Sequence, residues 1–138
     1  MADDVRTLGL LGGMSWESSI VYERLINEAV RAARGGVHSA DLLIRSYDFA
    51  RIERLQRHGD WHAAGELLAA DAAVLEQWGA AAIVLCTNTM HVVADTIAAA
   101  VDVPLLHIGD ATAAAAHRAG VLTVGLLGTR FTMEQPFL

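Results

Sequence analysis

Several familiar routes to function are closed by what this 138-residue chain has little of. It carries a single cysteine, Cys86, which excludes an internal disulfide and a cysteine-based zinc site. Basic residues are scarce, ten Lys and Arg against sixteen Asp and Glu, for a net charge of −6. Nucleic-acid phosphates are held by clustered positive charge, so no nucleic-acid partner is expected. No continuous apolar stretch is long enough to span a bilayer, and no membrane partner is expected either. Met1-Ala2-Asp3-Asp4 lacks the pattern of a signal peptide. With one unpaired cysteine, this leads to the expectation of a reduced, cytoplasmic setting. Low-complexity linkers are absent too. What remains is an alanine-rich composition, 54% apolar and 19% charged, sufficient for one small domain with a real core.

Apolar runs alternate with helical patterns. Residues 5–11 read as a short strand closed by Gly12-Gly13. Residues 15–34 carry an apolar stripe at Ile20, Val21, Leu25, Ile26, Ala29 and Val30, and Gly35-Gly36 ends that helix. Residues 42–47 read as a second strand. Asp60 is placed to cap a helix over 61–78, with Gly79 as its stop. Residues 80–85 form a wholly apolar strand, 89–100 a helix and 103–108 another strand. Asp110 is expected to cap an alanine-rich helix ending before Gly120, and 122–127 reads as the last strand. Thr132-Met133-Glu134-Gln135 has the form of a capping box opening a further helix, with Pro136 tolerated in its first turn. Strand and helix in alternation predict an α/β fold, a parallel sheet flanked by helices. Wholly apolar strands fit a sheet covered on both faces.

One phrase occurs twice. Thr7-Leu8-Gly9-Leu10-Leu11-Gly12-Gly13 is echoed by Thr123-Val124-Gly125-Leu126-Leu127-Gly128-Thr129, an offset of 116 residues from Gly9 to Gly125. Such self-similarity points to two related units. The expected division is a first α/β domain over 1–115, carrying Cys86, and the first strand and turn of a truncated second one over 116–138.

In α/β sheets ligands gather at the carboxyl ends of strands, and three segments fall there. Gly12-Gly13-Met14-Ser15 offers backbone N–H groups ahead of a helix, suited either to an anion or simply to a tight turn needing positive φ. Cys86 ends a buried strand and precedes Thr87-Asn88-Thr89. A helix N-terminus there would lower the thiol pKa, while the alternative is a small buried hydrophobe. Thr87, Asn88 and Thr89 add donors for a carboxylate. Gly128-Thr129-Arg130 could hold a carboxylate or cap a helix. His58 and His62 stand four residues apart but lack a third ligand, so no metal site is expected. His91 could orient a substrate or cap, and His107 is open. Trp61 and Trp78 read as core and rim anchors.

Gly9-Leu10-Leu11-Gly12-Gly13-Met14-Ser15-Trp16-Glu17-Ser18, Cys86-Thr87-Asn88-Thr89-Met90-His91 and Leu127-Gly128-Thr129-Arg130-Phe131-Thr132-Met133 together resemble the aspartate/glutamate racemase family, and within it the bacterial broad-specificity amino-acid racemases acting on Asp and Glu. The resemblance runs along the whole chain. It implies two similar α/β domains facing across a cleft, a pseudo-symmetric fold of which this chain holds the first domain and the start of the second. It implies racemisation of an acidic amino acid without pyridoxal phosphate or metal. Each domain supplies one cysteine, so that one removes the α-proton and the other returns a proton to the opposite face. By this resemblance Cys86 is the first of the pair, Met14, Gln56, Thr87 and Asn88 contact substrate, Thr129 lines the site, and a homodimer is implied by analogy.

The chain departs from the family pattern in one respect. The second cysteine, expected in a Gly-Cys-Thr phrase, is not among these residues, and its matching place falls beyond Leu138. The expectation is therefore half a catalytic pair, inactive alone. The alternatives are a non-catalytic dicarboxylate-binding or degenerate fragment, or another member of the superfamily of the hydantoin racemase, maleate isomerase or arylmalonate decarboxylase type.

Overall fold

The computed structural model describes residues 6–134. Its centre is a four-stranded, wholly parallel sheet in the order β2-β1-β3-β4, formed by β1 (Leu8–Gly12), β2 (Leu42–Ser46), β3 (Ala82–Leu85) and β4 (Leu105–Leu106). The α/β architecture read from the sequence is the one observed. Pairing runs from Leu8 opposite Leu42 to Gly12 opposite Ser46, and from Leu8 opposite Ala82 to Leu11 opposite Leu85.

Alternation along the strands sends side chains to two faces. On one, Leu11, Ile83 and Leu85 pack with Leu68, Ala72 and Leu75 of α3 (Trp61–Gln77), Ile52 of α2 (Phe49–His58) and Ile97 of α4 (Ala94–Ala98). Gly9 points the same way because α3 lies too close for anything larger. A Cβ there would stand 3.0 Å from that of Ala80 and 3.1 Å from that of Leu75. On the other face Leu10, Val84 and Cys86 pack against Tyr22 and Ile26 of α1 (Trp16–Arg34).

Several boundaries differ from the sequence reading, each for a local reason. The α2 helix was not foreseen. Its rows of Arg and Glu mask a narrow stripe at Ile52 and Gln56, although Asp48 caps it by accepting from Ala50 N–H and Gly59 stops it. The helix expected over 89–100 is a 3-10 helix, Thr89–Val93, followed by the short α4. The strand expected over 103–108 is two residues long. Pro104 cannot donate, and His107 turns the chain into α5 (Ile108–Arg118) by accepting from Gly109 N–H through Nδ1 at 3.0 Å. His107, not Asp110, is therefore the cap of α5. Residues 122–127 form no strand: they have no regular secondary structure and pair with no strand among the described residues. The α6 helix (Arg130–Glu134) begins two residues before Thr132 and is capped by Thr129, whose hydroxyl accepts from Thr132 N–H. Gln135 and Pro136 lie outside the described residues. The α1 helix forms as expected, but its apolar stripe is not buried as a whole: Ile20, Val21, Leu25 and Ala29 are exposed, and only Ile26 and Val30 of the six are half-buried.

Candidate active site

A cavity of about 620 Å³ opens at the carboxyl end of the sheet. Its floor comes from the turns after β1 and β3, and α6 forms one wall. The first turn depends on Gly13, at φ 82°, where a Cβ would collide with the main-chain N and O of Tyr47. No other residue type fits both the dihedral and the space. Gly13 N–H is already donated to Ser19 Oγ at 2.8 Å, so that amide is engaged in the turn rather than offered to an anion. Met14 follows, 3% exposed, with its side chain on the cavity.

In the second turn Cys86 is held by the sheet itself, its N–H bonded to Leu11 O at 2.9 Å. Ser18 Oγ donates to Cys86 O at 2.8 Å. The side chain is fully buried beside Leu10 and Val84, beneath the part of α1 that carries Ser18 and Tyr22. Burial pushes the thiol from 9.0 up to about 12. Of the two readings the sequence left open for Cys86, a lowered thiol or a small buried hydrophobe, burial favours the second. The helix meant to stabilise a thiolate is a five-residue 3-10 turn that starts three residues later, too short and too distant to offset desolvation. Thr87 and Asn88 line the cavity, and Asn88 Oδ1 is shielded from solvent with no hydrogen-bond partner. Gln56 reaches the same space from α2, its Nε2 donating to Met90 Sδ at 3.0 Å.

Thr129 completes the set from the opposite side. Its Oγ1 lies 3.2 Å from that of Thr89 and 3.2 Å from that of Thr132, and Thr89 and Thr132 are 3.3 Å apart, so three hydroxyls close a triangle. Phe131 packs edge-on to Trp61 with centroids 5.5 Å apart. Met14, Gln56, Thr87, Asn88 and Thr129 thus share one cavity. Cys86 does not line it and lies just below, on the α1 side of the sheet.

The family model of the Asp/Glu/Hydantoin racemases matches residues 11–138. The chain belongs to that family. A candidate Asp/Glu racemase from Yersinia pestis has a solved structure that superposes with a TM-score of 0.91 at 56% identity, over 96% of this chain and 57% of that one. An aspartate racemase homologue from Pyrococcus horikoshii OT3 superposes with a TM-score of 0.81 at 34% identity, over 93% of this chain and 56% of that one. The chain therefore spans little more than half the length of these relatives.

Within this racemase-family fold, the remaining sequence candidates have structural roles. His91 is 2% exposed, with Nε2 accepting from Ile108 N–H at 3.2 Å and Nδ1 positioned to donate to Asn88 O at 3.2 Å. It tethers the Asn88 turn to α5, with the His107 ring edge-on at 4.5 Å. Arg130 borders the cavity, but its guanidinium pairs with Glu134 at 2.9 Å. His62 pairs with Glu66, and among the described residues no group of three or more His, Cys, Asp or Glu could hold a metal. Trp61 packs against the core, whereas Trp78 is 71% exposed.

The Gly12-Gly13-Met14-Ser15 segment read from the sequence does bring Ser15 to the cavity wall, whereas Ser18, Tyr22 and Phe49 were missed. A signal for Ser18 and Tyr22 was present. Their spacing of three and four from Ser15 places them on one face of α1, directly after the Gly12-Gly13 turn.

Proposed function

We propose that this chain forms one half of a cofactor-independent racemase for aspartate or glutamate. In this reading residues 116–138 begin a second α/β domain that supplies the opposing acid/base group, and Cys86 is the acid/base group of the half described here. The observation that carries the proposal is the cavity itself. Met14, Gln56, Thr87, Asn88 and Thr129 meet there directly above the only cysteine, in a chain of the racemase family.

Inversion at Cα needs a base on one face and an acid on the other. The base takes the α-proton, the C–H electron pair spreads into the carboxylate, and the S–H of Cys86 gives its proton to the opposite face, leaving a thiolate. Burial keeps the resting Cys86 thiol protonated, which suits it to the donor role; the opposing group is then the ionised one. Asn88 Oδ1, lacking a partner, is suited to accept from the substrate ammonium, and the Thr87 hydroxyl to donate to a carboxylate. These 138 residues contain no lysine, so this half offers no Schiff base to pyridoxal phosphate. A cytoplasmic homodimer completes the reading.

The test is incubation of the folded chain with L-aspartate in D₂O, following the α-proton and the enantiomer ratio together. Because the opposing group belongs to the second domain in this reading, the 138 residues are expected to bind aspartate saturably without inverting it. Exchange with inversion that is lost in Cys86→Ala would show a complete two-base site in these residues and overturn the half-site reading, and an absence of saturable aspartate binding would overturn the assignment of the cavity to an acidic amino acid.

A further inference from the structure

Two walls of the cavity are joined by one buried ring. Asn88 belongs to the turn after β3, and Ile108 is the first residue of α5; both line the cavity. Between them stands His91, 2% exposed. Its Nε2 lies 3.2 Å from Ile108 N, and its Nδ1 lies 3.2 Å from Asn88 O. A main-chain N–H only donates and a carbonyl only accepts. The two partners therefore fix the tautomer: Nε2 is bare and Nδ1 carries the proton. Only a neutral imidazole serves both, and burial, followed by His107, lowers the pKa of His91 in the direction that keeps it neutral.

The 3-10 turn that carries His91 does not need these ring bonds. Asn88 O already accepts from the main-chain N–H of His91 at 3.0 Å, which closes the turn. The ring adds a second donor to the same carbonyl, so one residue occupies both of its lone pairs and sets the direction of that peptide. At the other end, α5 buries none of its own residues. Ile108 N–H is one of the donors that a helix start leaves open, and His91 is the side chain that satisfies it.

What the ring orients is the Asn88 side chain. An asparagine at the start of a helical turn ordinarily accepts from the N–H groups ahead of it. Here the side chain makes no such bond, and Oδ1 is shielded from solvent with no partner. A shielded acceptor without a donor is costly until a ligand supplies one. Asn88 stands two residues after Cys86, so the direction of Oδ1 relative to the thiol is set by the turn that His91 grips.

We propose that His91 is a positioning residue: it holds Asn88 so that Oδ1 meets the ammonium group of an α-amino acid, and it links that contact to the first turn of α5. This role rests on the reading of the cavity as an amino-acid site. His91 itself does not line the cavity and acts only through Asn88 and Ile108.

Titration calorimetry and amide exchange on the 138-residue chain test it, with L-aspartate and with succinate, which lacks the ammonium. Glutamine reproduces the Nε2 acceptor of histidine, and asparagine its Nδ1 donor. His91→Gln keeps the Ile108 bond and loses the ring bond to Asn88. It is expected to weaken L-aspartate about tenfold and to leave succinate unchanged. His91→Asn keeps the Asn88 bond and should bind L-aspartate as the wild type does. In the wild type L-aspartate should slow exchange at the Ile108 amide, and in His91→Asn that protection should vanish. A loss of stability alone does not produce this split. Succinate weakened as much as L-aspartate in His91→Gln overturns the proposal, as does an unchanged affinity for L-aspartate; either result leaves the amino-acid reading of the cavity standing. If His91→Gln shows a lost fold by far-UV circular dichroism, His91→Asn decides, since protection of Ile108 that persists there also overturns the proposal. A wild-type chain that binds no L-aspartate overturns the amino-acid reading and this role together.

Discussion

The Ser18 hydroxyl donates to the carbonyl of Cys86 at 2.8 Å, across 68 residues of sequence. The bond ties the first turn of α1 to the end of β3, and it fixes the main chain beneath which the thiol is buried. Removing it leaves a part-buried carbonyl without its side-chain donor. Ser18→Ala should cost about 1 kcal/mol of stability, read as a lower midpoint in urea with an unchanged slope. An unaltered midpoint would mean that water replaces the hydroxyl without loss.

Cys86 makes a prediction at alkaline pH. Its folded value lies near 12 against an ordinary 9.0. Between those values the folded chain keeps a proton that the unfolded chain has released. Its contribution to stability is complete below pH 9.0 and is lost as pH rises toward about 12. Denaturation midpoints measured from pH 8 upward should fall more steeply in the wild type than in Cys86→Ala. In the same window iodoacetamide should label the folded thiol far more slowly than the urea-unfolded one.

His91 makes the opposite prediction. Burial, followed by the neighbouring His107, lowers its pKa from 6.5. A buried histidine that prefers to be neutral contributes stability in full above 6.5, and loses it as pH falls through the lowered folded value. Protonation also removes the Nε2 acceptor from Ile108 N–H. Thermal midpoints should drop between neutral pH and pH 5, and His91→Gln should flatten that drop.

Gly13 should tolerate no side chain. Gly13→Ala combines a φ of 82° with a collision against the Tyr47 main chain. A loss of about 3 kcal/mol or failure to fold is expected, with Gly35→Ala, open on all sides, as the milder comparison at positive φ.

The wall of the cavity can be probed separately. Thr132→Val keeps the shape but removes one hydroxyl of the threonine triangle. The variant should lose about 1 kcal/mol locally, and hydrogen exchange at the amide of Met133, bonded to Thr129 O, should rise.

Much of the fold could be read from period and punctuation. The apolar runs that became β1 and β3, the Asp60 cap and the glycine stops each produced the element they signal. The strand expected over 122–127 failed for a reason no local pattern contains, since a strand exists only where another chain segment completes its ladder. The floor of the site was legible because Gly-Gly and Cys-Thr-Asn sit where parallel strands end. The thiol's raised pKa was not legible, because it depends on how deeply α1 covers Cys86, and that is decided by packing rather than by position along the chain. Gln56 was visible only through family resemblance; its helix, rich in Arg and Glu, gave no apolar signal.

The cavity is built from parts of unequal permanence. The Cys86 amide is bonded to Leu11 in the middle of the sheet, whereas Thr129 and Phe131 are secured by three hydroxyls and one ring contact. The position of the sulfur is thus set by the sheet, and that of the opposite wall by a handful of side-chain contacts. A change confined to the wall, such as Thr132→Val, alters the hydroxyl bonds that hold the wall without touching the bond that places the thiol.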